Sequence, residues 1–373
     1  MTSIGGAEMV DWNLAVATAT RLVRPGPEVS RDEARAVVAE LRRHAKASEQ
    51  HVRGFTRMGT DDIHDTPILV VDRPGWVRAN VAGFREVLKP LLDKMQERRG
   101  NTPGGAVFGA VGGKVTGVEL GMLLSFLSSR VLGQYETFAP ASRELPAGAK
   151  GGRLLLVAPN IVHVERELDV EPHDFRLWVC LHEETHRTQF TAVPWLRDHL
   201  EGEIQSFLGE TEVDPMTVLE RIREAAQSLA GGRPEGEEDD EGRSLVEIVQ
   251  TPAQREILSR LTAVMSLLEG HADFVMDGVG PDVVPSVAEI REKFQQRRAK
   301  GASRLDSALR KLLGLDAKLR QYRDGERFVR AVVEQVGMDG FNRVWTSPNT
   351  LPTKTEIAKP ADWVARVHRK AES

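Results

Sequence analysis

Apolar residues recur at helical spacing along most of the chain. Asp11 to Val23 is a mixed amphipathic run, broken by Pro25-Gly26-Pro27. Ser30 and Glu33 form a capping box, and Ala34, Val37, Val38 and Leu41 follow on one helical face. Val81 to Met95 reads as a second amphipathic helix through Phe84, Val87, Leu88, Leu91 and Leu92. Pro172 opens a helix to about Phe190, and Pro194 starts another through Trp195, Leu196, Leu200 and Ile204. Thr251-Pro252 caps a long helix through Leu258, Leu261, Val264, Met265 and Leu268. Residues 291–330 are basic and helical, with Leu305, Leu309, Leu312 and Leu313 on the apolar side.

Two short stretches read as strands instead. One is Ile68-Leu69-Val70-Val71, which a turn at Asp72-Arg73-Pro74-Gly75 follows. The better one is Arg153 to Ala158, ended by Pro159-Asn160. The pattern therefore predicts a mainly α fold with a small β-sheet. Gly105, Gly109, Gly113, Gly117 and Gly121 recur every four residues, so a helix there presents a ridge without side chains, against which another helix can pack closely. We divide the chain into residues 1–150, which include this ridge, and residues 151–373, together forming one compact unit. Residues 231–243 (GGRPEGEEDDEGR) lack apolar side chains and read as a disordered acidic loop.

Composition narrows the classes. Hydrophobic residues are 40 % and charged residues 28 % of the 373, which excludes a wholly disordered chain. The formal net charge of −5 argues against a nucleic-acid binder that works through a global basic field. Residues 104–133 are apolar, but Lys114, Glu119 and Arg130 interrupt them, so a buried helix is expected and not a membrane span. With Cys180 alone, neither an intrachain disulfide nor a cysteine zinc cluster can form, and a reducing cytoplasm is the expected compartment. The first residues carry no signal-peptide pattern.

The chemistry concentrates in Leu177-Trp178-Val179-Cys180-Leu181-His182-Glu183-Glu184-Thr185-His186, a His-Glu-x-x-His motif. On a helix, His182 and His186 lie one above the other and can converge on one ion. Glu183 points about 100° away, so it can reach a water on that ion without ligating it. An open zinc site needs a third protein ligand. The extended motif with Gly and His three and six residues on is excluded, because those positions hold Gln189 and Ala192. The best candidate is Glu269, an isolated acid at the end of the apolar run Met265-Ser266-Leu267-Leu268. Asp273 follows one turn later and is placed to orient a ligand histidine through its outer nitrogen. Cys180 faces away from the metal side and reads as a core thiol.

Glu-x-x-x-Asp downstream of His-Glu-x-x-His resembles the glutamate-ligand zincins of the thermolysin-like class. More closely, the chain resembles an uncharacterised bacterial family of zincin-like hydrolases of the zinc-dependent metalloprotease type, one branch of which is associated with biosynthesis of a deazaflavin coenzyme. The phrases that carry this are Val71-Asp72-Arg73-Pro74-Gly75-Trp76, Val131-Leu132-Gly133-Gln134-Tyr135, Val157-Ala158-Pro159-Asn160, Pro194-Trp195-Leu196, Leu268-Glu269-Gly270-His271-Ala272-Asp273, Phe341-Asn342-Arg343-Val344-Trp345 and Leu351-Pro352-Thr353. The resemblance implies a zincin-like fold and a bound Zn2+, and it names no substrate. It also suggests that the strand at 153–158 or its neighbour holds an extended peptide by backbone pairing. Tyr135, in one of these phrases, is the favoured donor to a developing oxyanion, with His271 and Arg187 as rivals.

The resulting expectation is a cytoplasmic zinc metallohydrolase, best read as a metallopeptidase acting on a peptide or small amide, with no nucleic-acid or membrane partner. His182, His186 and Glu269 hold the metal, Glu183 is the base, Tyr135 assists and Asp273 orients. The alternative is a zinc-stabilised scaffold or accessory protein of a coenzyme pathway.

Overall fold

The computed structural model describes residues 10–59, 66–99, 105–138, 152–210, 251–300 and 315–369. The predicted acidic loop and the leucines at 305–313 lie outside them. In chain order the elements are α1 (Trp12–Leu22), α2 (Arg31–Thr56), β1 (Ile68–Val71), α3 (Arg73–Arg99), α4 (Gly105–Ser128), β2 (Gly133–Glu136), β3 (Arg153–Val157), α5 (Ala158–Leu168), α6 (Pro172–Ala192) and α7 (Pro194–Gly209). They continue with α8 (Pro252–Gly278), α9 (Val287–Lys300), α10 (Leu315–Phe341), two short 3-10 turns, α11 (Lys354–Ala358) and α12 (Pro360–Arg369). The fold is mostly helical with one three-stranded sheet. No helix among the described residues is long and apolar enough to cross a membrane.

Contacts divide the chain into two units. The first holds Met1–Arg197 and His271–Lys300, the second Asp198–Gly270 and Gly301–Ser373. The first unit is built around the sheet, whose order is β1-β3-β2, with β1 parallel and β2 antiparallel to β3. Both sequence-derived halves contribute to it, since β2 precedes residue 150 and β3 follows. Leu154 to Val157 of the central strand are fully buried, which explains its unbroken apolar run. Alternate residues serve opposite layers. Leu156 packs into a core made with α2, α5 and α6, and Ile68 and Val70 lie against the same core. Leu155 and Val157 pack into a second core with α1, α3 and α4, joined by Leu69 and Val71. Each fully buried side chain of this size contributes about 1.5–3 kcal/mol.

Local chemistry sets the joints. Asp11 caps α1 by accepting from Leu14 N, and Ser30 caps α2 by accepting from Glu33 N. Gly117 and Gly121 let α4 touch α1: a Cβ on them would lie 2.6 Å from Asp11 O and 2.7 Å from Ala15 O. Two expected turns are helix starts instead. The Asp72 carboxylate accepts from Gly75 N at 2.7 Å and caps α3, which begins at Arg73. Pro159 lies in the first turn of α5, where its missing N–H costs nothing. Arg73 and Asn160 then join these starts: Arg73 Nε donates to Asn160 Oδ1 at 2.6 Å, and Asn160 Nδ2 donates to Ser128 O and Val131 O. That network fixes the chain just ahead of β2.

In the second unit, Phe328 meets Trp363 edge to face at 5.8 Å, and Trp363 Nε1 donates to Thr350 O. Here α8 and α10 cross at glycines. A Cβ on Gly270 would lie 2.1 Å from the Gly325 carbonyl carbon, and one on Gly325 would lie 1.9 Å from Ser266 O. Only glycine at both positions permits that approach.

Candidate metal centre

Helix α6 carries the motif. Glu171 caps it, Pro172 opens it, and Asp174 accepts from both the backbone N and the hydroxyl of Ser286. Its two sides do different work. On one side, Cys180 Sγ lies 3.8 Å from Leu41 O of α2, and burial pushes its thiol pKa well up. Arg187 bridges Glu184 at 2.8 Å and Glu49 of α2 at 2.9 Å. Burial pushes Glu184 up to about 7 although Arg187 opposes the shift. This face anchors α6 to α2, which removes Arg187 from its sequence-derived role as an oxyanion donor.

The other side presents the histidines. Nε2 of His182 and Nε2 of His186 are 3.3 Å apart, with the rings edge to face. Two nitrogens at 2.0–2.1 Å from a tetrahedral ion are separated by about 3.3 Å, so the spacing fits zinc. The outer nitrogens have acceptors. His182 Nδ1 lies 3.3 Å from Met276 Sδ and 3.7 Å from Asp273 Oδ1. Asp273 is thus beside His182 at ion-pair range, and the nearer atom is a thioether. His186 Nδ1 lies 2.9 Å from Gln189 Oε1. Hydrogen on both outer nitrogens leaves both Nε2 lone pairs for an ion.

Gln189 was not foreseen as a site residue. Its Nε2 lies 3.0 Å from His271 Nδ1, and His271 is fully buried. Burial, reinforced by His186, pushes His271 down to about 3, so it is a neutral acceptor. Accepting at Nδ1, it orients the Gln189 amide so that the carbonyl faces His186.

These contacts run α6 and α8 in opposite directions: 182 faces 273 and 276, and 189 faces 271. Glu269 lies one turn before Asp273 on the same helix. One ligand atom each from His182, His186 and Glu269 lie within 4.8 Å of one another. Two imidazoles and a carboxylate form a donor set suited to zinc.

The base sits against the sheet. Glu183 is buried, and a Cβ built on Gly133 would lie 2.5 Å from its Cγ and 2.8 Å from its Oε1. Strand β2 therefore starts in contact with the carboxylate. Two residues on, the Tyr135 ring stacks on Phe190 of α6 at 5.4 Å, and its hydroxyl packs against Gly152. Burial pushes that hydroxyl up to about 12, so it stays a donor. The intervening Gln134 points to the other face, where Trp76 Nε1 donates to it and it donates to Asn80. The expected peptide-holding strand at 153–158 is central, with both edges paired. Among the described residues, its neighbour β2 is an edge strand, and it runs along α6.

A family model described as zincin-like metallopeptidase matches residues 10–364. The chain belongs to that family. Among solved structures, the chain is similar to a candidate hydrolase with a novel fold from Chloroflexus aurantiacus, at 30 % identity and a TM-score of 0.67, covering 96 % of this chain and 99 % of the other. No functionally curated protein matches the chain. Membership in the zincin-like metallopeptidases implies a metal, and the donor set on α6 and α8 is where this chain offers one.

Proposed function

We propose that the protein is a zinc-dependent metallopeptidase that cleaves an amide bond in a peptide or small amide. The observation that carries the reading is the 3.3 Å separation of the two Nε2 atoms, with Glu183 buried one residue from His182. His182, His186 and Glu269 hold the metal. Bound zinc supplies Lewis acidity, which acidifies water and polarises a carbonyl.

The chain does the rest. Gln189 holds the His186 ring in its ligating tautomer, and Met276 with Asp273 does the same for His182. Glu183 takes a proton from the attacking water while the water oxygen bonds to the carbonyl carbon. When the carbon–nitrogen bond breaks, Glu183 returns that proton to the departing nitrogen. The outer edge of β2 offers backbone groups to an extended substrate. The Tyr135 hydroxyl, still protonated at working pH, is our candidate donor to the carbonyl oxygen. We place the reaction in the cytoplasm, where Cys180 stays reduced.

The test is hydrolysis of a peptide library by zinc-loaded protein, read by mass spectrometry. Cleavage at defined amide bonds that a chelator stops and zinc restores is the expected result. Absence of cleavage across the library overturns the reading in favour of a zinc-stabilised scaffold.

A further inference from the structure

A second set of ligand-type side chains lies at the start of α6, away from the motif. His173 is the second residue of that helix; Glu40 and His44 are one turn apart on α2. One ligand atom from each of the three falls within 4.8 Å of the others. Glu40 Oε1 is 3.0 Å from His173 Nδ1 and 3.4 Å from His44 Nε2. Donor atoms around a tetrahedral zinc at 2.0–2.2 Å are separated by about 3.3–3.6 Å, so the three already stand close to ligating distances.

Two further observations point to an ion and not to a simple ion pair. His44 is 8 % exposed, and its Nε2 is buried without a hydrogen bond, aimed at the same oxygen of Glu40. A buried polar nitrogen left this way is costly unless something occupies it. The other Glu40 oxygen accepts from Arg176 Nη1, while Arg176 Nε donates to Glu165 at 2.9 Å. Arg176 thereby confines Glu40 to one ligating oxygen, and Glu165 balances its charge, leaving one net negative charge for a cation. The His173 side chain is 60 % exposed, which gives an ion a path in and water a place to complete the coordination.

We propose that Glu40, His44 and His173 form a second, structural zinc site that ties α2 to the first turn of α6. Nine residues separate His173 from His182, about 13.5 Å along the helix, so the two ions are separate sites and not a binuclear centre. A neutral His173 that ligated through Nδ1 would carry its hydrogen on Nε2, and Glu40 would supply its Oε1.

The test uses full-length protein stripped with a chelator and titrated with Zn2+ under competition from a chromogenic chelator. Wild type is expected to bind two equivalents. His173→Ala, an exposed change, is expected to bind one and to lose part of the zinc-dependent rise in Tm. His44→Gln is expected to behave likewise. His186→Gln is expected to bind one equivalent, and the His173→Ala/His186→Gln pair none. Saturation of wild type at one equivalent, or retention of two in His173→Ala, overturns the second site. The first site is judged separately, by the equivalent that disappears with His186→Gln.

Discussion

The amide oxygen of Gln189 stands 2.9 Å from Nδ1 of His186, one turn further along the same helix. That contact decides which nitrogen of His186 is left for a metal. The amide in turn is held the right way round by the fully buried His271, 3.0 Å from its nitrogen. A ligand, an amide and a neutral imidazole thus form one chain, drawn from α6 and α8.

Replacing Gln189 by Leu removes that acceptor and is expected to weaken zinc binding about 10–100-fold, the usual cost of losing a partner of a ligand. His271→Phe, which removes the group that sets the amide, should weaken binding in the same direction. Competition with a chelator of known affinity measures both. Imidazole nitrogen NMR supplies a second readout, a mixture of His186 tautomers in the Leu variant. Unchanged affinity in Gln189→Leu would show that His186 needs no such partner.

Gly133→Ala tests the contact between β2 and the base. The added methyl would lie 2.5–2.8 Å from three atoms of the Glu183 side chain, so the carboxylate must move. A displacement of this kind costs on the order of 10²-fold in rate. Zinc content should stay at the wild-type level, because Glu183 is not a ligand. Rate and metal content measured on one preparation separate the two effects.

Gly270→Ala addresses the crossing beside Glu269. Its methyl would meet the Gly325 backbone at 2.1 Å, and backbone cannot swing aside as a flexible side chain can. Overpacking of this sort costs about 1–3 kcal/mol. Calorimetry should show a lower Tm, and zinc affinity should fall because Glu269 is the adjacent residue.

The site was legible in the sequence where its geometry is local. His182, Glu183 and His186 are fixed by helix periodicity alone, and Glu269 stands out as an acid in an apolar run. Strand β2 was hidden. Its alternation reads Gly-Gln-Tyr-Glu: Gly133 has no side chain because Glu183 fills the space, Gln134 is a polar group bonded inside to Trp76 and Asn80, and one oxygen of Glu136 accepts from Arg153. Gln189 entered the sequence reading only as a departure from the glycine of another motif. Its role depends on His271, 82 residues away in the chain. The turn expected at Asp72-Arg73-Pro74-Gly75 failed for a similar reason. Asp and Pro suit a turn and a helix start equally, and the long-range Arg73–Asn160 bond belongs to the helix start.

The C-terminal module carries a pH signature. Burial raises the pKa of Glu356, but hydrogen bonds from Arg366 and from Thr353 N more than offset this, so it titrates below its ordinary 4.5. A depressed carboxylate stabilises the fold above 4.5 and loses that contribution as the pH falls through its folded value. Glu356→Gln should therefore lower Tm at neutral pH and differ little from wild type in strong acid.

The central claim is that Glu183 moves the proton while the two histidines and Glu269 hold the metal. Glu183→Gln keeps the shape and removes the base. The deciding measurement is the turnover of zinc-loaded Glu183→Gln on a peptide that wild type cleaves, with metal content assayed in the same sample. The account predicts a full complement of zinc and a rate reduced by roughly 10²–10⁴-fold. A zinc-loaded Glu183→Gln protein that cleaves at the wild-type rate would contradict it.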